Sequence, residues 1–147
     1  MTLAFYAPVR NAERMIEEFV NYHVKTMRPG DVFVFVDTGS TDSTVKRIKK
    51  LQEDGKPVLL FEDYPKDHPL DFAFLRNWAL KKIPKGIDVG IALDIDEMFV
   101  KEDWREQIEV LFSDGRKKVL IHQRWEDLSE ESGIPGKHFI HQRSSIH

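Results

Sequence analysis

The sequence contains no cysteine, which excludes a disulfide framework and any thiolate chemistry. It also has no apolar run of the length needed to cross a membrane. The end that begins at Met1 lacks the basic-then-apolar pattern of a signal peptide. We therefore expect a cytoplasmic protein without a membrane span, although the absence of cysteine leaves the redox compartment open.

A strong positive charge is also missing. The 22 Lys and Arg residues stand against 25 Asp and Glu residues, giving a net charge of −3, which argues against nucleic acid as a partner. The remaining composition, 41% hydrophobic and 32% charged residues in a chain of 147, is typical of one soluble globular domain. A chain of this length buries enough surface to fold without covalent staples.

Apolar runs alternate with segments of helical periodicity. Strands are predicted over residues 3–7 (ended by Pro8), 31–36, 57–61 and 89–93, with later strands over 118–122 and 137–143. Helices are predicted over residues 12–27, after Thr44, from an N-cap at Asp71 to Pro84, and over 102–112. In the third helix, the residues expected to face inward are Phe72, Leu75, Ala79 and Leu80. This alternation predicts an α/β fold with a mostly parallel sheet and right-handed crossovers.

The most unusual stretch is GIALDIDEMFV, residues 90–100, in which a buried strand pattern runs into Asp94, Asp96 and Glu97. Charges beside a core edge must be solvated, paired or bound to a cation. Residues two apart on an extended chain point to the same side, so Asp94 and Asp96 would present two hard oxygen ligands suited to Mg²⁺ or Mn²⁺. A solvated acidic turn is the alternative.

Two further polar clusters follow predicted strands, Arg10-Asn11 after the first and Asp37 to Asp42 after the second. Ligands of parallel sheets bind outside the carboxyl ends of the strands, where all three clusters fall. Asp37 would accept hydrogen bonds from a base or ribose, whereas Gly39 and the following helix would instead cradle a phosphate. An ordinary strand–turn–helix junction explains the same residues. Arg76 is either a surface cation or a ligand for a diphosphate.

Three segments together resemble the inverting family 2 of nucleotide-sugar glycosyltransferases, which have the GT-A fold. They are VFVDTGSTDST after the second strand, DFAFLRNWAL in the third helix and LDIDE at the end of the fourth strand. They occur in the order typical of the family and span roughly residues 3 to 100. The resemblance implies a single GT-A (Rossmann-like) domain, with a nucleotide-sugar-binding part at residues 1–100 and a shortened acceptor side at residues 101–147.

The resemblance also implies roles for individual residues. The set expected to bind the nucleotide sugar, most simply a UDP-sugar, is Pro8, Arg10, Asp37, Gly39, Arg76, Asp94, Ile95 and Asp96. Asp94 and Asp96 would hold Mn²⁺ or Mg²⁺ against the diphosphate. The reaction implied is a single displacement, in which a base deprotonates an acceptor hydroxyl of a glycan, lipid or protein. Asp127 is the first choice for that base.

Only 50 residues follow Glu97, fewer than the family usually has in its acceptor half. We therefore expect a minimal enzyme, the leading domain of a longer protein, or a non-catalytic nucleotide-sugar-binding module that needs a partner. A homo-oligomer is compatible with each of these. A reading from another class of enzyme is a phosphohydrolase with Asp94 as nucleophile. Such enzymes usually carry their D-x-D motif after the first strand, which disfavours this reading.

Overall fold

The computed structural model describes residues 1–99 and 102–115, together with the backbone of residues 118–126 and 138–146. The chain forms two compact units, Met1–Asp96 and Glu97–His147. Every helix within the described residues is too short or too polar to cross a lipid bilayer.

The first unit is an α/β structure, as the alternation of strand and helix patterns predicts. Its strands are β1 (Leu3–Val9), β2 (Val32–Asp37), β3 (Val58–Phe61) and β4 (Val89–Ala92). Its helices are α1 (Ile16–Val24), α2 (Thr44–Glu53) and α3 (Phe72–Lys81). The strands form a parallel sheet in the order β3-β2-β1-β4. This arrangement is compatible with a Rossmann-like fold.

The strand order reverses between β1 and β4. The chain adds β2 and β3 on one side of β1 and then returns to place β4 on the other side. A crevice opens at such a reversal, outside the carboxyl ends of the strands, because the two crossovers leave on opposite faces of the sheet. The carboxyl ends of β1, β2 and β4 therefore form the edge of the first unit where a ligand is expected.

Neighbouring residues of β1 show which helix covers each face. The ring of Phe5 lies 5.4 Å from the ring of His23 in α1, and Phe19 of α1 contacts Phe33 in β2. Tyr6 points the other way and packs in a cluster that contains Leu75 of α3. Helix α2 contacts α1 and so lies on the Phe5 face. The core is thus in two layers, one on each side of the sheet.

The prediction that Pro8 ends the first strand is wrong, because β1 continues to Val9 with Pro8 opposite Val36. The Tyr6 carbonyl accepts from Leu93 N, so the backbone groups of Tyr6 face β4 and those of Pro8, two residues on, face the same way. The register between β1 and β4 ends at Tyr6 and Ala92. Proline has no backbone N–H, and at Pro8 no residue of β4 is paired that would need one. Pro8 is therefore tolerated in β1, although β1 is a central strand.

Helix α3 begins where the sequence predicts, but two of its residues face the other way. The Asp71 carboxylate accepts from Ala73 N at 2.9 Å and so caps the helix. Leu75 and Ala79 are buried as expected, whereas Phe72 is 78% exposed and Leu80 is 46% exposed. Phe74 and Trp78 take their places against Val36 and Tyr64 of the core cluster.

The second unit contains one helix and a hairpin among its described residues. Helix α4 (Trp104–Phe112) buries Trp104, Arg105 and Ile108, and the Trp104 ring stacks on Phe99 with centroids 4.4 Å apart. Strands β5 (Lys118–Glu126) and β6 (His138–Ile146) pair antiparallel over their full lengths. The two late strands predicted from the sequence are therefore present, both longer than expected.

Candidate functional site

The residues predicted to bind a nucleotide sugar lie along one edge of the first unit. Pro8 is the second-last residue of β1, and Arg10 directly follows that strand. Asp37 is the final residue of β2, and Asp94 lies two positions after the end of β4. Strand β1 lies between β2 and β4. Because neighbouring strands are about 4.8 Å apart, the segments that carry Asp37 and Asp94 are roughly 10 Å apart. That distance suits a single ligand lying across β1.

Arg76 and Asp94 form an ion pair that joins α3 to the segment after β4. The Arg76 guanidinium donates from Nη2 to Oδ1 of Asp94 at 3.3 Å and to Oδ2 at 3.2 Å. Their side chains remain 47% and 36% exposed, so the pair contributes about 0–1 kcal/mol to stability. A ligand that competes for either partner therefore meets little resistance from the fold.

Tyr6 also belongs to this group, although the sequence alone did not mark it. Burial raises the pKa of the Tyr6 phenol, and the positive charge of Arg76 offsets part of the rise. The guanidinium is thus near enough to act on Tyr6 of β1 as well as on Asp94 after β4. It lies over the point where the strand order reverses.

The acidic segment after β4 is not extended. The expectation that Asp94 and Asp96 point to the same side of an extended chain therefore loses its basis. Strand β4 ends at Ala92, and Ile95 and Asp96 lie in a turn. The register with β1 has ended before the acids, so the sheet no longer holds them in a strand. Asp96 is exposed, while Glu97 begins the second unit and is 5% exposed.

Asp94 and Asp96 are the residues predicted to hold a divalent cation, and the described residues show no ready-made metal centre around them. Among residues 1–99 and 102–115, no three His, Asp or Glu side chains gather into a metal-binding group. Mg²⁺ and Mn²⁺ are commonly held by one or two carboxylates, with phosphate oxygens and water completing the shell. Two carboxylates on one turn provide that donor set, so they could hold an ion that arrives with a phosphate ligand.

Asp37 has a local structural role. Its carboxylate, in a residue 9% exposed, accepts from Gly39 N at 3.2 Å and from Ser40 N at 3.2 Å. Gly39 has a φ of +111°, and a side chain there would meet no atom within 4 Å. The positive φ therefore favours glycine at this turn, and the space beside it is open. A carboxylate has about four acceptor sites, so Asp37 keeps capacity for a ligand.

The loop after β1 is fastened to the loop after β2 by reciprocal hydrogen bonds. Asn11, at a φ of +48°, donates from its N–H to Ser40 Oγ at 2.9 Å, and its Oδ1 accepts from Thr41 N at 2.8 Å. Asparagine tolerates the left-handed conformation better than most residues. Ala12 N donates to Thr44 Oγ1 at 2.8 Å. A turn follows, in which the Ala12 carbonyl accepts from Met15 N and Ile16 N at 3.0 Å, and α1 begins at Ile16, four residues later than expected.

Two carboxylates occupy the first N–H groups at the start of α2. Asp42 accepts from Thr44 N at 2.9 Å, and Glu13 accepts from Ser43 N at 3.1 Å. Hydrogen bonds from Ser43 lower the pKa of Glu13. Burial raises the pKa of Asp42, but the bonds from Thr44 and Glu13 outweigh it and the net shift is downward. A phosphate at this helix N-terminus would have to displace two anions, which disfavours the phosphate-cradle alternative.

We expect Thr44→Val to weaken this fastening measurably. Thr44 is fully buried, and its hydroxyl accepts from Ala12 N while donating to Asp42 Oδ1. Valine keeps the shape but leaves the Ala12 N–H without its acceptor, so the free energy of unfolding should fall by about 1–3 kcal/mol in a denaturant titration. Thr41→Val is the matched control, because that hydroxyl is exposed at 3.4 Å from Asn11 Oδ1. Equal losses in both variants would contradict the prediction.

The remaining predictions separate into two groups. Ile95 lies in the turn between Asp94 and Asp96, so its place beside them is as expected. Asp127, the predicted base, lies outside the described residues. Sequence reasoning placed Asn11 in a polar cluster at this edge but did not foresee its bonds to the loop after β2, and it missed the contributions of Tyr6 and Thr44.

The geometry of the first unit therefore joins the three sequence segments that resemble family 2 glycosyltransferases at one edge of a parallel sheet. No protein-family model matches the chain, and no curated protein is significantly similar to it.

Proposed function

We propose that the first unit binds a nucleoside diphosphate sugar with Mn²⁺ or Mg²⁺, and that the protein is a metal-dependent, inverting glycosyltransferase of the GT-A type. The observation that carries this proposal is the contact between Arg76 and Asp94 at the strand-order reversal. This contact joins the segment DFAFLRNWAL to the segment LDIDE. Both lie beside the edge at which Asp37, in the segment VFVDTGSTDST, ends β2.

The charges of this edge suit a pyrophosphate bridged to a cation. Arg76 offers a planar donor for phosphate oxygens. Asp94 and Asp96 repel phosphate unless a cation lies between them, so anionic ligand and metal are expected to bind together. Bound there, the ion would neutralise the diphosphate as it leaves the sugar. Arg76 would then exchange its contact with Asp94 for one with the ligand.

The other end of the ligand would lie toward β2. The Asp37 carboxylate is oriented by two N–H groups of its own loop, and its remaining acceptor sites suit the N–H of a base or the hydroxyls of a ribose. Pro8 and Arg10, at the end of β1, would lie beneath the middle of the ligand. Gly39 would shape the turn that holds Asp37, and the open space beside it would admit the ligand.

The acceptor hydroxyl would attack the anomeric carbon from the side opposite the diphosphate, with a carboxylate as base. Asp127 remains our proposal for that base. If the base or the acceptor site is supplied by another chain or domain, the same edge would bind the nucleotide sugar without transferring it. Binding and transfer must therefore be measured separately.

A thermal-shift panel of UDP-, GDP- and ADP-sugars, each with and without Mn²⁺, tests binding. At a concentration about 100 times its Kd, the correct donor stabilises the protein by about 2.7 kcal/mol, which corresponds to a rise in Tm of roughly 5–10 °C. The rise should require Mn²⁺. Release of the nucleoside diphosphate would then separate an enzyme from a binding module. The proposal is wrong if no nucleotide sugar shifts the Tm.

A further inference from the structure

Phe72 is a large apolar side chain in an unusual position. It is 78% exposed, and nearby Leu70 is 54% exposed. Phe72 is the first residue of α3, after the Asp71 cap. Helix α3 leads from the end of β3 to the start of β4, so its N-terminus lies at the carboxyl edge of the sheet. The exposed ring therefore stands at the same edge of the sheet as the candidate site.

Contacts of α3 show which strand lies next to the side of the helix that carries Phe72. Arg76, one turn after Phe72, reaches Asp94 beyond β4. Ile83, just past the helix, lies beside Gly90 of β4, where an added Cβ would come within 2.8 Å of the Ile83 Cδ1 atom. Residues four apart on a helix share a face. Phe72 is thus on the β4 flank, roughly 6 Å further along the helix axis than Arg76 and beyond the end of the sheet.

We propose that Phe72 is a stacking platform for the nucleobase of the donor, an inference that rests on the proposed function. Every base has a flat π-face, and an aromatic side chain binds that face whatever the pattern of hydrogen-bond donors. Asp37, on the far side of β1, would then bind the ribose hydroxyls, while Phe72 would cover a face of the base. Arg76, between ring and sheet, would hold the adjoining phosphates.

The test measures dissociation constants by calorimetry for UDP, GDP, ADP and inorganic pyrophosphate, each with Mn²⁺. Phe72→Ala is expected to weaken the nucleotide that binds best by roughly 5- to 100-fold and to leave pyrophosphate binding unchanged. Phe72→Trp, which keeps a π-face, should retain nucleotide affinity. Leu80→Ala is the matched control, because Leu80 is 46% exposed on the same helix, two turns further from the edge. It should change neither affinity.

Several outcomes would overturn the inference. Nucleotide binding by Phe72→Ala as tight as that of the parent protein would show that the ring does not contact the base. An equal loss of pyrophosphate binding would indicate a structural role. A loss confined to the nucleotide sugar, with the nucleoside diphosphate unaffected, would place the ring against the sugar instead of the base. Conversion of an oligomer to a monomer on size exclusion would place it in a protein interface. If the parent protein binds no nucleotide, the proposed function fails first and this inference with it.

Discussion

Asp96→Asn is expected to abolish the Mn²⁺-dependent part of the rise in Tm produced by the correct nucleotide sugar. Asp96 is exposed in the turn after β4 and contributes the carboxylate that we assign to the cation. Asparagine keeps the size of the side chain but removes the negative charge, and a neutral amide is a far weaker ligand for a hard divalent ion. At a concentration that shifts the parent by roughly 5–10 °C, the variant should show less than about 2 °C.

The control for that experiment is Glu53→Gln, which makes the same carboxylate-to-amide change on the exposed surface of α2. It should leave the ligand-induced rise intact. The Tm of Asp96→Asn without ligand is measured alongside, so that any effect on the fold is separated from the loss of the ligand-induced rise. A full Mn²⁺-dependent rise in Asp96→Asn would remove Asp96 from the metal site.

Asp94→Asn distinguishes the role of Asp94 from that of Asp96. Asp94 is paired with Arg76, so its replacement removes a cation ligand and also releases the guanidinium from its position. We expect it to remove the Mn²⁺-dependent binding, as Asp96→Asn does, but to raise any metal-free affinity for the diphosphate above that of Asp96→Asn, because it also frees Arg76 from a competing carboxylate. This contrast follows from the ion pair, which the D-x-D spacing alone does not reveal.

The sheet of the first unit was predictable because its strands are dense in buried apolar residues. DVFVFV has no helical spacing, and the Asp71 cap marks the start of α3 by itself. The inward face of α3 was not predictable in the same way. Seven of its ten residues are apolar, so more than one set can face the core, and packing against Val36 and Tyr64 selects Phe74 and Trp78 over Phe72 and Leu80.

Features that depend on two distant segments were also beyond the sequence. Pro8 is tolerated only because β4 leaves the sheet early, and the length of β4 is a property of its neighbours. The fastening of Asn11 to Ser40 and Thr41 likewise depends on two loops that lie 30 residues apart in the chain and meet only after folding. The edge that carries the candidate site could be predicted, but its contacts could not.

The largest change in stability that we expect is the loss that accompanies protonation of His23 at acidic pH. His23 is 1% exposed in the last turn of α1, with the rings of Phe5, Phe19 and Tyr22 at 5.4, 4.5 and 5.0 Å. Its Nδ1 lies 2.9 Å from the Phe19 carbonyl, so Nδ1 carries the proton and donates. Burial lowers the pKa of His23 from 6.5 to about 4, and the bond to Phe19 offsets a small part of that shift.

A pKa lowered in the folded state means that the unfolded chain takes up the proton first as the pH falls. The contribution of His23 to stability is therefore complete above pH 6.5 and is lost between pH 6.5 and about 4. The loss at pH 4 is about 3 kcal/mol, a large part of the total stability of a domain of this size. Urea titrations at several pH values should show this decline in the parent protein.

His23→Phe removes the titrating group and keeps an aromatic ring among its neighbours. Its free energy of unfolding should fall by about 3 kcal/mol less than that of the parent between pH 7 and pH 4. Carboxylates titrate in both proteins, so the difference isolates the histidine. The proton NMR signal of the His23 ring provides a second measurement, because it should not shift between pH 7.5 and 5.5 in the folded protein. Parallel pH profiles for the two proteins, or a ring that titrates near pH 6.5, would show that the aromatic cluster does not keep His23 neutral.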